Sequence, residues 1–144
     1  MCPPNCKDDD WFKQLVGSYK KAIICYEILS YNDKFDLTSQ RNNFNLSLIN
    51  LEQQLKREGN FFALSFISGG CMLCEDKLCS LAECNRVNYG RTPVCALGLD
   101  IQHVGEQILL LEPDEALSFW KANLSKSLFD PASSGYLCLG LLFY

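Results

Sequence analysis

Positive charge is scarce in this chain: 13 Lys and Arg stand against 17 Asp and Glu, for a net charge of −4. A nucleic-acid binder needs a basic face to displace counterions from phosphate, so this balance argues against DNA or RNA as a partner. Long apolar runs are missing as well. None approaches the roughly 20 residues that cross a bilayer. The opening Met1-Cys2-Pro3-Pro4-Asn5-Cys6-Lys7-Asp8 lacks the basic-then-apolar order of a secretory signal. The expectation is a protein of the reducing cytoplasm, with no membrane partner. Histidine occurs once, as His103, and no Gly-x-Gly-x-x-Gly or phosphate-loop pattern is present. A nucleophilic Cys–His pair would need that one imidazole beside a low-pKa thiolate. Glu112 and Asp114 flank Pro113 and read as helix-start chemistry. No conventional catalytic set is visible, and an enzyme is the less favoured class.

Cysteine is what the chain has in excess. There are nine: Cys2, Cys6, Cys25, Cys71, Cys74, Cys79, Cys84, Cys95 and Cys138. The odd count and the missing export signal speak against a disulfide framework. In the cytosol, clustered cysteines more often mean metal or catalysis. Asn45-Leu46-Ser47 and Asn123-Leu124-Ser125 match glycosylation acceptors, which in a cytosolic protein are chance.

An apolar fraction of 48% and a length of 144 residues fit one compact domain, with neither internal repeat nor low-complexity linker. Acidic residues 8–10 ahead of Trp11, Phe12, Leu15 and Val16 predict a short helix that Gly17 can end. Residues 22–29 are nearly continuous in apolar side chains and predict a strand buried on both faces, with Cys25 as a small buried hydrophobe. Residues 31–39 are polar and read as a loop. From about Gln40, Phe44, Leu48, Leu51 and Leu55 fall on one helical stripe, and Gly59 is placed to stop it. Residues 61–67 read as a second buried strand. Strand, helix, strand is a βαβ unit, which predicts two parallel strands with a right-handed crossover. The fold expected is therefore α/β: a small, at least partly parallel sheet with helices packed on it. Asp100 is placed to cap a helix carrying Ile101, Val104, Ile108 and Leu111, and Pro113 to start another with Leu117, Trp120, Leu124 and Leu128. Residues 136–144 predict a third core strand that includes Cys138.

Between about residues 68 and 98 neither period holds. So long an irregular stretch is uncommon inside a compact domain, and something other than secondary structure should organise it. It contains Gly69-Gly70-Cys71-Met72-Leu73-Cys74-Glu75-Asp76-Lys77-Leu78-Cys79-Ser80-Leu81-Ala82-Glu83-Cys84, a C-x2-C-x4-C-x4-C spacing. Four thiolates this close in sequence can surround one centre, and the two glycines permit a tight backbone approach. Structural zinc sites commonly separate two knuckles by a longer arm, whereas compact runs are more typical of 4Fe–4S clusters. The leading reading is thus an iron–sulfur cluster on Cys71, Cys74, Cys79 and Cys84, with zinc as the alternative and reduced thiols without metal as the third. Cys2, Cys6 and Cys95 are candidate additional ligands.

The residues also resemble a known family, the uncharacterised "predicted metal-binding protein" family of bacteria and archaea. The resemblance rests on Cys2-Pro3-Pro4, the stretch from Tyr19 to Tyr26, the cluster from Gly69 to Cys84, and Gly98-Leu99-Asp100-Ile101, in that order. It implies a metal or iron–sulfur site at the cysteines chosen above and implies no activity. Two departures stand out. Family members usually carry further cysteines upstream of Cys-Pro-Pro, and Cys95 falls where they tend to have an acidic residue.

Three functions follow. One is a small iron–sulfur protein that moves electrons or accompanies a redox protein partner. Another is a zinc-stabilised interaction module. The weakest is an enzyme using the centre as a Lewis acid, because four cysteines would fill zinc's shell and leave no open position. No pattern in the sequence encodes an oligomeric state.

Overall fold

The strand that comes last in the sequence lies in the middle of the sheet. The computed structural model describes residues 9–29, 36–70, 90–111, 113–115, 118, 121 and 136–144. Their elements run α1 (Asp9–Gly17), β1 (Ala22–Leu29), α2 (Leu37–Arg57), β2 (Leu64–Phe66), a 3-10 helix (Val94–Leu97), α3 (Ile101–Leu111) and β3 (Tyr136–Phe143). The strand order is β1-β3-β2. Ala22 lies opposite Phe143 and Leu29 opposite Tyr136, while Phe66 lies opposite Leu141; both pairings are antiparallel.

This overturns the partly parallel sheet expected from a βαβ unit. β1 and β2 both run against β3, so they share a direction, but β3 separates them and every pairing within the sheet is antiparallel. The physical reason is the relative burial of the strands. All residues of β3 after Tyr136 are buried, whereas Ile24 and Glu27 of β1 are exposed. The most continuously apolar strand takes the place with two covered faces, and β1 takes an edge.

Alternation along β3 divides the core in two. Leu139, Leu141 and Phe143 meet Phe66, Val94 and Leu97, and against them pack Trp11, Phe12 and Leu15 of α1 and Ile101, Val104 and Ile108 of α3. The Phe143 ring meets Phe66 edge-on at 5.8 Å and Phe12 at 6.5 Å between centroids. On the opposite face Cys138 joins Leu29, Phe44 and Leu48, with Cys25 and Leu37 packed alongside. Each fully buried Leu or Phe contributes about 1.5–3 kcal/mol of transfer free energy, so the strand's side chains are a principal source of stability. Gly140 sits where α2 comes closest: a Cβ there would collide with Leu48.

Local signals set the helix ends. Asp36 caps α2, its carboxylate accepting from the Thr38 N–H at 3.0 Å, so α2 begins inside the stretch expected to be loop. At the other end Gly59 has φ of +100°. The Asn60 N–H donates to the Leu55 carbonyl and the Gly59 N–H to that of Lys56, which is a Schellman closure. The Asp100 carboxylate accepts from the His103 N–H at 3.1 Å and caps α3 as expected. Of the helix expected after Pro113, the bond from the Ser118 N–H to the Asp114 carbonyl is present; most of its residues lie outside those described. The second strand is shorter than expected because Phe61 and Phe62 fall in a turn, and the 3-10 helix interrupts the stretch expected to be irregular. No helix among the described residues is long and apolar enough to cross a membrane.

Candidate metal centre

Cys71, Cys74, Cys79 and Cys84, together with Cys2 and Cys6, lie outside the described residues. What is described is the frame from which residues 71–89 depart and to which they return. The two ends of that frame meet. Ile67 and Pro93 form a parallel bridge, in which the Ile67 N–H donates to the Thr92 carbonyl at 3.1 Å and the Val94 N–H to the Ile67 carbonyl at 2.8 Å. Closing a loop at its base removes part of the entropy otherwise lost when its side chains converge on one point.

Polar groups on α2 hold both ends. At the departing end, Asn45 is fully buried and grips the backbone of Ser68: its Nδ2 donates to the Ser68 carbonyl at 3.1 Å, and its Oδ1 accepts from the Ser68 N–H at 2.9 Å. Glycosylation at Asn45 is sterically incompatible with this position. The next residue, Gly69, has φ of +61°, and a Cβ on it would come within 3.0 Å of the Arg41 guanidinium. The chain thus leaves the core through a left-handed residue packed against a cation, a conformation that favours glycine.

At the returning end stands Arg91. Its Nε and Nη2 donate to the two carboxylate oxygens of Glu52 at 2.8 and 2.7 Å, a bidentate pair, while Nη1 donates to the Gly90 carbonyl at 2.9 Å. Glu52 is 0% exposed and also accepts from the Ser65 N–H and hydroxyl, at 2.9 and 2.6 Å, and from Lys56 Nζ at 2.5 Å. Burial alone would push this carboxyl up. The bonds from Arg91, Lys56 and Ser65 outweigh it and hold the group down at about 2, so it stays ionised. One α2 carboxylate therefore joins the helix, β2 and the returning end of the cysteine-bearing segment.

Three cysteines are described, and none is in a disulfide. Cys138 is buried and Cys25 half-buried beside α2, and burial pushes both thiols up, although the Ser68 hydroxyl and Arg41 partly oppose this at Cys138. A thiol resisting ionisation makes a poor ligand, and both residues behave as core side chains. Cys95 is exposed on the 3-10 helix, close to the closed base. His103 is exposed on α3. Among the described residues no three His, Cys, Asp or Glu side chains gather as a metal site.

Sequence reading missed Asn45, Glu52, Ser68 and Arg91. A signal for two of them was present. Asn45 and Glu52 are seven residues apart, close to two helical turns, and belong to the buried set with Phe44, Leu48 and Ile49. Polar residues at that spacing beside an apolar stripe mark a buried network. Arg91 carried no such signal, since nothing local links it to a helix far upstream.

Residues 1–109 match the family model described as Predicted metal-binding protein (DUF2284). The match takes in every cysteine except Cys138 and stops before β3. No curated protein and no solved structure matches the chain.

Proposed function

The chain belongs to the family of predicted metal-binding proteins (DUF2284), and from that premise we propose that it holds an iron–sulfur cluster, of the 4Fe–4S type, on Cys71, Cys74, Cys79 and Cys84. Its role in this reading is electron transfer or redox support for a protein partner in the cytoplasm, within a single domain. The observation that carries the reading is the C-x2-C-x4-C-x4-C spacing on a segment whose two ends are pinned together. Compact four-cysteine runs suit a cluster core better than the longer arm usual in zinc knuckles. The cluster, when bound, would supply one-electron chemistry.

The chain's own residues would do the rest. Thiolates are the metal-binding form, and the Arg41 guanidinium beside Gly69 favours negative charge near that end. The bridge between Ile67 and Pro93 and the Glu52–Arg91 pair keep the ends of the ligand segment together. Metal bonds would in turn supply ordering free energy to a segment whose sequence lacks periodicity, on the order of 10 kcal/mol for structural zinc. Cys95 is the described candidate for an additional ligand; Cys2 and Cys6 remain candidates on sequence alone.

Anaerobic purification followed by iron, zinc and acid-labile sulfide analysis, with absorption and EPR spectra, tests the assignment. The expected result is iron and sulfide in equal amounts with a reducible visible chromophore. A colourless protein with one zinc and no labile sulfide would replace the cluster by a zinc-stabilised interaction module. Cys74→Ser is expected to lose the centre in either case, and unchanged metal content in that variant would show that the ligands lie elsewhere.

A further inference from the structure

We propose that a groove beside the Phe61-Phe62 turn docks a segment of a partner protein that presents an apolar side chain next to carboxylates. The inference goes beyond the metal reading and does not depend on it. Phe61 is 75% exposed and Phe62 85% exposed. The Ala63 N–H donates to the Asn60 carbonyl at 2.9 Å, which places the two phenylalanines at the corners of a four-residue turn. Corners of this kind normally carry Gly, Pro, Asn, Asp or Ser, for reasons of backbone geometry and local hydrogen bonding. Two solvent-facing aromatics there contribute nothing to the core.

The turn is also fixed. The Asn60 N–H is bonded to the Leu55 carbonyl at 2.9 Å, and the Tyr19 hydroxyl, also in the groove lining, donates to the Phe62 carbonyl at 2.7 Å. Aromatic side chains on a braced backbone lose little entropy on association, and such anchors dominate binding energy at protein interfaces. The groove has a volume of about 610 Å³, and its apolar lining includes Leu15, both phenylalanines and Tyr144. A hollow of that size receives a protruding side chain or loop, which a flat bilayer surface cannot supply.

Charge selects the occupant. Among the described lining residues the charged side chains are Lys20 and Lys21, in a chain whose net charge is −4. Lys21 and Tyr144 pair through reciprocal backbone bonds of 3.1 and 3.0 Å, and the Lys21 ammonium lies 5.4 Å from the centre of the Tyr144 ring. The cations therefore border an aromatic surface. Complementarity calls for carboxylates beside an apolar anchor.

Two synthetic peptides, each with the same Leu and Phe residues and differing only in carrying Glu or Lys around them, test this by NMR titration of the full chain. The Glu peptide is expected to bind saturably, to shift the amides of Lys20, Lys21 and residues 60–63, and to weaken as salt is raised. Phe61→Ser with Phe62→Ser should weaken it about tenfold or more, the loss expected of interface anchors. Lys20→Glu with Lys21→Glu should transfer the preference to the Lys peptide, a reversal that a damaged fold could not produce. Equal binding of both peptides, binding of neither, or shifts confined to another surface would overturn the proposal. So would self-association in sedimentation velocity, or binding to vesicles of phosphatidylserine and phosphatidylcholine, if either were abolished by the same Phe substitutions.

Discussion

The two faces of β3 are covered by different chemistry. The face carrying Leu139, Leu141 and Phe143 meets α1, α3 and the 3-10 helix through apolar side chains. The face carrying Cys138 and Gly140 meets α2, and α2 brings buried Asn45 and Glu52 to that side together with Phe44 and Leu48. Apolar contacts are non-directional and tolerate small slips. Hydrogen bonds to a buried carboxylate or amide do not, because a displaced partner leaves an unsatisfied group. One face therefore supplies most of the cohesion, and on the other the α2 side chains of Asn45 and Glu52 pin Ser68 and Arg91 on either side of residues 71–89.

The sharpest way to break that contrast is Arg91→Ala. It strands the Glu52 carboxylate in the interior with only Lys56 and Ser65, and removing one partner from a buried pair costs about 3–5 kcal/mol, measurable by urea unfolding. The same pair gives a pH signature. The folded Glu52 carboxyl sits at about 2, below its ordinary value of 4.5, so its contribution is complete above pH 4.5 and is lost as pH falls through the folded value. Urea midpoints measured from pH 6 to pH 2 should fall in that window, and Glu52→Gln should flatten this part of the profile.

Leu139→Ala attacks the opposite face. It should cost about 3 kcal/mol through lost transfer energy and the cavity left behind. In that variant the metal content of the folded fraction should match the parent's, since the Leu139 N–H that donates to the Ser68 hydroxyl is kept and no bond of Asn45, Glu52 or Arg91 is removed. Asn45→Ala should cost about 2 kcal/mol by leaving the Ser68 N–H and carbonyl unpaired, and here metal retention under mild chelation should fall as well. Equal metal loss in the two variants would dissolve the distinction between the faces. The smallest effect belongs to Asp36→Ala, a slight lowering of the urea midpoint from loss of the α2 cap, with unchanged metal retention.

These contrasts also mark what the sequence could reveal. β1 and β3 were readable because their apolar residues run nearly continuously, and α1 and α3 because acidic residues stand at their starts. The order of the strands was not readable. A βαβ pattern is blind to a strand arriving much later and inserting between the first two. Phe61 and Phe62 extended an apolar run that the backbone breaks with a turn, so composition lengthened β2. Asp36 looked like loop because a capping residue is as polar as the loop before it. The cysteine spacing was fully legible as a candidate site, but its frame depends on Arg91 meeting Glu52, a contact between residues far apart in the chain. Local patterns carry no record of such a pair.

The central position of β3 also has a consequence in time. During synthesis β1, α2, β2 and α3 all emerge before the strand that joins β1 to β2, so the sheet cannot close while they leave the ribosome. Pairings between distant segments form slowly, and an unfinished sheet presents open edges to chaperones and to other chains. The cysteine-bearing segment is made during that interval. A nascent chain could therefore accept its metal before the last strand arrives, and the order of synthesis would set the order of maturation.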